Sequence, residues 1–340
     1  MRPGREDRRI AIRSLTAALC SILLLVTCAS AQSDPLPSWN DGSAKQAILQ
    51  FVRDTTDSSS PRFIPLGHRI AAFDQDGTTW VEQPIYPQWV FAVDQVKMLV
   101  AKNPKLAKAK PFKTVLSGNW AAIATLTSID LEKILVATHT GMTVEQFQGM
   151  VKDWIATAKH PRFNRPYSDL VYQPMLEVMN LLRANGYKVF VVTGGEQDFV
   201  RAYSEQVYGV PVEQVVGSAG ETKYGYAPDG RAVLTKLSTV MLVDNGEGKA
   251  EGINLMIGQR PALAFGNSGG DQQMLEYTQG GEGARLMLLL HHDDAIREYD
   301  YGAESKVGTF SDALMAEARQ RGWIVVSMKN DWNRIFRFDQ

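Results

Sequence analysis

The hydrophobic positions of this chain form short apolar runs that alternate with stretches of helical spacing. A short apolar run between polar residues is typical of a buried strand, whereas apolar residues three and four apart are typical of a helix. Predicted strands occupy Arg69–Phe73, Tyr187–Val192, Gln214–Val216, Ala262–Phe265 and Ala284–Leu290, and predicted helices occupy Pro174–Ala184, Gln197–Tyr208, Glu247–Ile257 and Gly270–Tyr277. This alternation predicts an α/β fold with a parallel sheet and helices on both faces.

Three segments depart from the alternation. Trp89–Lys159 has helical periodicity throughout and lies between the first two predicted strands, as an insertion would. Thr222–Leu234 contains the turn Pro228-Asp229-Gly230 and is predicted to be a β-hairpin. Residues 32–65 are rich in Ser, Asp and Pro around one amphipathic stretch, Ala44–Val52, which predicts an N-terminal extension with a single helix.

The first 31 residues have the charge order of a secretory signal peptide. Five arginines precede the uncharged, mostly apolar stretch Ser14–Thr27, and Ala29-Ser30-Ala31 offers a small-residue cleavage site. We expect cleavage after Ala31 and a periplasmic or secreted protein. An uncleaved membrane anchor, for which the apolar stretch is short, and a lipoprotein attached at Cys28 are the alternatives. Both cysteines, Cys20 and Cys28, lie in this segment, so we expect no disulfide in the mature chain.

The composition excludes several classes of protein. The 340 residues are 44% hydrophobic and 21% charged, with a formal net charge of −1. This balance is that of a globular protein and argues against a disordered chain or a coiled coil. Without a basic excess, nucleic acid is not an expected partner. Beyond the first 31 residues no apolar stretch is long enough to span a bilayer, so the mature chain is expected to have no membrane span.

Polar, glycine-rich loops follow three of the predicted strands. They are Asp74–Thr79, Thr193–Gly195 and Gly266–Asp271, and Lys249 opens the helix before the strand Ala262–Phe265. In open α/β sheets, ligands bind at the carboxyl ends of the strands. We therefore expect these four segments to meet at one rim of the sheet.

Each of these groups has a chemical role if a phosphate binds at that rim. Asp74 is placed to attack phosphorus and form an aspartyl-phosphate. Asp76 can protonate the leaving alcohol and later deprotonate a water molecule. The Thr193 hydroxyl and the Gly194 and Gly195 amides would bind phosphate oxygens at a helix N-terminus. Lys249 would neutralise charge on the nucleophile and the phosphate.

Carboxylates and a phosphate that lie close together repel one another unless a cation intervenes. Asp74, the Asp76 carbonyl, Asn267 and Asp271 offer hard oxygen ligands, which favour Mg²⁺. The sequence therefore predicts a magnesium site formed by these four residues.

Four motifs in order resemble those of the haloacid dehalogenase-like superfamily of hydrolases, and within it the phosphoserine-phosphatase-like group. They are Asp-x-Asp-Gly-Thr at 74–78, Thr193 after a strand, Lys249, and Gly-Asn-Ser-Gly-Gly-Asp at 266–271. The resemblance implies a Rossmann-like core over residues 66–88 and 168–340, with an all-helical cap at 89–167. It also implies Asp74 as nucleophile, Asp76 as acid and base, Thr193 and Lys249 as phosphate ligands, and Asp271 as a metal-site carboxylate.

The sequence departs from related phosphatases at Asn267, where phosphoserine-type enzymes often carry Asp. An amide oxygen can ligate Mg²⁺ without a formal charge, so we expect Asn267→Asp to lower the Mg²⁺ requirement. Dehalogenases of the superfamily resemble the chain at Asp74 but lack the second Asp, so Asp76 favours a phosphatase. The predicted activity is an exported, Mg²⁺-dependent hydrolysis of small phosphomonoesters. The alternatives are a periplasmic anion-binding protein without turnover, and an enzyme for phosphocholine-type or phosphonate substrates.

Several residues have competing interpretations. Lys236 competes with Lys249 for the phosphate site, and Glu82 is either a substrate contact or part of a surface turn. His291–Asp294 could hold a metal or cap a helix. Three aromatic residues either pack in the hinge and cap or bind substrate: Trp80, Tyr86 and Trp89. Arg162 and Arg165 are either solvated loop residues or close over an anionic substrate.

Overall fold

The computed structural model describes residues 34–123 and 125–339, and the chain from Leu36 onwards forms one compact unit. The predicted signal peptide, residues 1–31, lies outside the described residues, as do Cys20 and Cys28. Within the described part, no helix combines the length and apolarity that a membrane crossing requires.

One sheet of seven strands organises the protein. The strands are β1 (Ile70–Phe73), β2 (Lys188–Glu196), β3 (Val215–Tyr226), β4 (Ala232–Leu242), β5 (Leu263–Gly266), β6 (Leu286–His291) and β7 (Ile324–Ser327), in the order β4-β3-β2-β1-β5-β6-β7. All neighbours are parallel except β3 and β4, which form an antiparallel pair. This confirms the predicted α/β fold with a mainly parallel sheet.

The central strand β1 contributes side chains to two hydrophobic cores because its side chains alternate between the two faces of the sheet. Ala71 and Phe73 belong to the larger buried cluster, and Ile70 and Ala72 belong to a second cluster on the opposite face. All four residues are at most 2% exposed. A strand that is buried on both faces is continuously apolar, which is why the run at Arg69–Phe73 identified it.

Thirteen α-helices are described. They are α1 (Ser43–Thr56), α2 (Pro87–Lys102), α3 (Phe112–Leu116), α4 (Trp120–Ile123), α5 (Ser128–His139), α6 (Val144–Thr157), α7 (Gln173–Ala184), α8 (Gln197–Arg201), α9 (Ser204–Tyr208), α10 (Glu247–Met256), α11 (Gln272–Gln279), α12 (Asp312–Arg321) and α13 (Met328–Asp331). The helix predicted in the N-terminal extension is therefore present as α1.

The segment predicted to be all-helical contains α2 to α6, and the described residues within it form no strand. Part of this segment has its own apolar cluster, which includes Val96 and Val115, whereas Phe147 and Trp154 of α6 pack into the larger core beside the sheet. The assignment of residues 89–167 as a substrate cap remains a prediction.

The strand pair β3–β4 is longer than the predicted hairpin, and β4 also forms backbone hydrogen bonds with the helical segment. The backbone N–H of Lys236 donates to the Met142 carbonyl at 2.9 Å, and the Gly141 N–H donates to the Lys236 carbonyl at the same distance. Thr143 and Thr235 form a β-bridge beside them. The loop between α5 and α6 therefore pairs with strand β4.

Two regions differ from the sequence-based expectation. The helix predicted over Gln197–Tyr208 is two short helices, because Tyr203 leaves helical geometry and stacks in the core on Trp80, with ring centroids 5.2 Å apart. Strand β7 and helix α12 were not predicted. The apolar run at β7, Trp323–Val326, is four residues long, and a short run does not by itself distinguish a strand from a buried helical segment.

Candidate active site

The loop after β1 begins at Asp74, whose backbone N–H donates to the Phe265 carbonyl of β5 at 2.9 Å. The loop then turns sharply at Gly77, which has a φ of +77°. A Cβ atom on Gly77 would lie 2.1 Å from Oε1 of Glu82, so glycine is required both for the conformation and for the space.

Lys249 lies at the centre of the site and is 1% exposed. Its Nζ atom donates to the Asp74 carboxylate, to Oδ1 of Asp271 at 2.6 Å and to the Val192 carbonyl at 2.8 Å. The structure therefore brings the first motif, the helix α10 and the last motif together, as the sequence predicted. Lys236, the competing lysine, binds elsewhere.

Asp271 organises the last motif. Its Oδ2 atom accepts hydrogen bonds from the backbone N–H groups of Asn267 at 2.9 Å and Ser268 at 3.0 Å, while Oδ1 accepts from Lys249. Both oxygens of this predicted metal ligand are thus engaged by N–H donors. This geometry gives Asp271 a role in holding Lys249 and the loop.

The side chain of Asn267 bridges two carboxylates. Its Oδ1 atom lies 2.9 Å from the Thr78 hydroxyl, which is itself 3.1 Å from Oδ2 of Asp74. Its Nδ2 atom donates to Oε1 of Glu82 at 2.7 Å. Glu82 is 2% exposed, so it does not belong to a surface turn.

Asp76 and the last residues of β2 lie close together, since a Cβ atom on Gly195 would be 4.0 Å from Oδ2 of Asp76. Oδ1 of Asp76 accepts a hydrogen bond from the Trp80 indole at 2.7 Å. Thr193, Gly194 and Gly195 are the late residues of β2, and the Gly195 N–H donates to the Thr193 hydroxyl at 3.0 Å. The expectation that they form a helix N-terminus is wrong, because the strand continues to Glu196 before α8 begins.

Burial dominates the electrostatics of the site. It raises the pKa of Asp74 to about 7, assisted by Asp271 and opposed by Lys249, and it raises the pKa of Asp76 to about 6. The pKa of Glu82 is raised well above its usual range, again chiefly by burial. Burial alone would lower the pKa of Lys249, but the carboxylates of Asp271 and Asp74 raise it. Carboxyl groups therefore outnumber the ammonium group in a site that disfavours charge.

The oxygen atoms near Thr78 fit a hard cation. Oδ2 of Asp74 and Oδ1 of Asn267 share one hydroxyl, which has a single hydrogen to donate, so acceptors are in excess. The described residues contain no cluster of three or more His, Cys, Asp or Glu arranged to hold a metal. A Mg²⁺ ion would thus use the Asp74 carboxylate, the Asn267 amide and the Asp76 carbonyl, with water completing its shell.

A cavity of about 640 Å³ opens from these residues. Asp74, Asp76, Thr193 and Lys249 line one end. The remaining wall comes from the helical segment, with Tyr86, Trp89, Leu135 and His139, and from strand β4, with Lys236, Leu237 and Val240. Tyr86 and Trp89 therefore border the cavity, whereas Trp80 is fully buried in the core.

A second charged cluster in this wall was missed by the sequence analysis. Nζ of Lys236 donates to the Glu196 carboxylate and to Oδ2 of Asp198 at 2.8 Å, and it lies 4.6 Å from the centre of the Phe147 ring. His139 lies 3.9 Å from Glu196. These residues come from distant parts of the sequence, and no local motif marks them.

Asp244 was also missed. It is fully buried, and burial raises its pKa to about 7, while the nearby Lys249 opposes that shift. It precedes α10 by only a few residues, so the same turn that delivers Lys249 buries this carboxyl group beside it.

In the segment His291–Asp294, the Asp293 carboxylate accepts hydrogen bonds from the Ser327 hydroxyl and, at 2.8 Å, from the backbone N–H of Lys329 in the first turn of α13, so it caps that helix from outside. The described residues of this segment form no cluster arranged to hold a metal. His292 is buried, with Nε2 donating to the Gly77 carbonyl at 2.7 Å and Nδ1 at 3.1 Å from the Glu298 carboxylate. Asp294 accepts from the backbone N–H groups of a turn, at Ile296 and Arg297. His292 thus supports the turn that follows Asp76.

The two arginines considered for anion binding make other contacts. Arg162 donates to the carbonyls of Ala295 and Ile296 and lies 4.5 Å above the Tyr299 ring. Arg165 stacks on Phe338 at 3.9 Å. The structure does not place these guanidinium groups in the cavity wall.

Comparison with known families identifies the class. A family model described as haloacid dehalogenase-like hydrolase matches residues 71–276. This range covers more than half of the chain and contains every motif residue of the candidate site, and the chain belongs to this hydrolase family. No curated protein matches the sequence.

Solved structures that match this chain come from several bacteria. A conserved protein of unknown function from Anaerococcus prevotii DSM 20548 has a TM-score of 0.52 at 13% identity, with 82% of this chain and 88% of that chain covered. A protein of unknown function from Bordetella pertussis Tohama I has a TM-score of 0.48 at 19% identity, with 76% and 98% covered. A phosphoserine phosphohydrolase-like protein from Francisella tularensis has a TM-score of 0.35 at 16% identity, with 65% and 87% covered.

Proposed function

We propose that this hydrolase cleaves small phosphomonoesters with Mg²⁺, through an aspartyl-phosphate on Asp74. The observation that carries the proposal is the position of Asp74, in contact with buried Lys249 at the end of a cavity that Asp76 also lines. Of the activities in the family, dehalogenation needs no group to protonate a leaving alcohol. A second carboxyl group two residues after the nucleophile favours phosphate esters.

The reaction proceeds in two displacements. An oxygen of Asp74 attacks phosphorus, the bond from phosphorus to the ester oxygen breaks, and Asp76 gives a proton to that oxygen. Asp76 then accepts a proton from water, the water oxygen attacks phosphorus, and the bond to Asp74 breaks to release phosphate. The burial-raised pKa of Asp76, about 6, suits a group that must both donate and accept.

The other residues hold charge in place during these steps. Lys249 and the Thr193 hydroxyl face the oxygens of the transferred phosphoryl group, and Lys249 opposes the burial-raised pKa of Asp74 and so favours its ionised, nucleophilic form. A bound Mg²⁺ ion would neutralise the phosphate and the excess carboxylate charge. It would be held by Asp74, the Asp76 carbonyl and Asn267.

The substrate occupies the cavity with its leaving group toward the helical segment and strand β4. The volume of about 640 Å³ accommodates a phosphate with a small alcohol and leaves further space. We also propose that residues 1–31 direct export, so that the enzyme acts in the periplasm or outside the cell.

The test is hydrolysis of p-nitrophenyl phosphate with and without Mg²⁺ by the wild type and Asp74→Asn. We expect Mg²⁺-dependent turnover by the wild type and background rates in the variant, with retained folding confirmed by circular dichroism. Full activity in Asp74→Asn would exclude the covalent route. Tight binding of inorganic phosphate by a wild type that turns over no ester would instead favour the anion-binding alternative.

A further inference from the structure

Asn267 places an uncharged amide where the proposed metal site would gain from a carboxylate. Oε1 of Glu82 lies 2.7 Å from the amide nitrogen of Asn267 and accepts a hydrogen bond from it. The same oxygen accepts a hydrogen bond from the Tyr301 hydroxyl at 2.6 Å. Both Glu82 and Asn267 are at most 2% exposed.

This contact fixes the orientation of the amide. With Nδ2 donating to Glu82, Oδ1 of Asn267 is directed at Thr78, on the Asp74 side. The reverse orientation would set Oδ1 against a carboxylate oxygen and the NH₂ group toward Asp74, losing the bond to Glu82. Glu82 therefore determines which end of Asn267 faces the site.

The surrounding backbone leaves room for the Glu82 carboxylate. A Cβ atom on Gly77 would lie 2.1 Å from Oε1 of Glu82, and one on Gly308 would lie 1.8 Å from it. Both glycines have a positive φ, of +77° and +64°. Tyr301 and Gly308 lie after residue 276, beyond the segment that the family model matches. The C-terminal part of the chain thus encloses this pair of side chains.

We propose that Glu82 is a positioning residue that orients the Asn267 amide oxygen toward Mg²⁺. The inference rests on the proposed function only in its choice of metal. It changes the sequence-based expectation for Asn267→Asp. That substitution removes the hydrogen bond that Asn267 donates to Glu82 and with it the contact that orients this side chain, so it weakens Mg²⁺ binding where the sequence alone suggested a gain.

Exchanging the carboxyl group of Glu82 and the amide group of Asn267 tests whether the hydrogen bond between them affects Mg²⁺ binding. In the double variant Glu82→Gln/Asn267→Asp, an amide nitrogen and a carboxylate oxygen face each other again, with the donor and the acceptor exchanged. Mg²⁺ affinity is measured by isothermal titration calorimetry without substrate, on the wild type, both single variants and the double variant. Tyr301→Phe is the matched control, because it removes the other hydrogen bond to Glu82 and leaves the amide contact.

We expect each single substitution to weaken Mg²⁺ binding by roughly 10- to 100-fold, the usual effect of losing a group that orients a ligand. The double variant should return to within about threefold of the wild type, and Tyr301→Phe should change affinity less than Glu82→Gln. Thermal unfolding of each variant shows whether a loss of Mg²⁺ affinity comes from a destabilised fold. Recovery of Mg²⁺ affinity in the double variant would show that Glu82 and Asn267 act as a specific pair and have more than a general structural role.

Two results with the variants would overturn the inference, and so would one with the wild type. One is an Asn267→Asp variant that binds Mg²⁺ as tightly as the wild type or more tightly. The other is a Glu82→Gln variant with unchanged Mg²⁺ affinity and a raised KM, which would make Glu82 a substrate contact. Absence of Mg²⁺ binding by the wild type would also refute it. If Mg²⁺ binds as expected but no phosphate ester is hydrolysed, the proposed function fails while the role of Glu82 stands.

Discussion

Lys249 and Asp271 form a buried ion pair, with Nζ of the lysine 2.6 Å from Oδ1 of the aspartate. The side chains of both residues are 2% exposed. Because Lys249 also contacts Asp74, one ammonium group compensates two carboxylates that come from the loops after β1 and β5. Such an arrangement depends on all its members, since a buried charge that loses its partner is costly.

Lys249→Met should therefore destabilise the protein as well as inactivate it. The change leaves Asp74 and Asp271 facing each other without a cation, and we expect a loss of about 3–5 kcal/mol in the free energy of unfolding. Urea denaturation measures the loss. The double variant Lys249→Met/Asp271→Asn should recover part of it because one unpaired charge is removed. No recovery would show that the pair is not the cause.

Asp76→Asn should reduce turnover in a way that depends on the leaving group. Without a proton donor, an alkyl phosphate should lose about 10²–10⁴-fold in kcat. p-Nitrophenyl phosphate should lose less, because nitrophenolate departs without protonation. The two esters are compared in parallel under saturating Mg²⁺. Equal losses for both would assign Asp76 to binding.

Gly248→Ala should displace the side chain of Lys249, because it shifts the backbone at the start of α10. A Cβ atom at this position would lie 1.8 Å from the Val243 carbonyl oxygen, so the start of α10 must shift. We expect a destabilisation of about 1–3 kcal/mol and lower kcat/KM. Gly149→Ala is the matched control: it lies within α6 with no atom within 4 Å of the added Cβ, and it should stabilise the helix by about 0.5–1 kcal/mol. Equal effects in both would refute the steric argument.

His139 should make the fold sensitive to acid. Burial lowers its pKa to about 3, with Lys236 contributing and the Glu196 carboxylate 3.9 Å away. The folded protein keeps this imidazole neutral, whereas the unfolded chain binds a proton below about pH 6.5. Its contribution to stability is therefore complete above that pH and is lost as the pH falls toward 3, by up to about 1.4 kcal/mol per pH unit.

The free energy of unfolding of His139→Gln, measured between pH 7 and about 4.5, should fall less steeply than that of the wild type. The same substitution at exposed His68 provides the comparison and should leave the profile close to that of the wild type. An unchanged slope in His139→Gln would assign the acid sensitivity to other groups.

The sequence identified the sheet and the motif loops because both depend on local patterns. β1 is a continuous apolar run since it is buried on both faces, and Asp74 and Asp76 follow it directly. Lys249 could be placed because helix α10 and strand β5 are consecutive in the chain. These are features that a few adjacent residues determine.

The parts that could not be predicted depend on contacts between distant segments. Lys236 meets Glu196 and Asp198 across about 40 residues, and β4 pairs with a loop of the helical segment. The sequence left Glu82 open between a substrate contact and a surface turn, because its contacts with Tyr301 and Gly308 come from near the other end of the chain. The local hydrophobic pattern around Glu82 does not indicate that residues from a distant part of the chain cover it.

The central position of β1 separates the reacting carboxylate, in the middle of the sheet, from the part of the cavity wall that lies on an edge strand. The backbone at Asp74 is hydrogen-bonded to β5 in the middle of the sheet, where amide protons should be among the last to exchange with solvent. The cavity wall at Leu237 and Val240 lies on an edge strand with 38% and 60% exposure, where exchange should be fast. Substitutions at this edge can alter the preferred alcohol over evolutionary time while the reacting carboxylate stays in place.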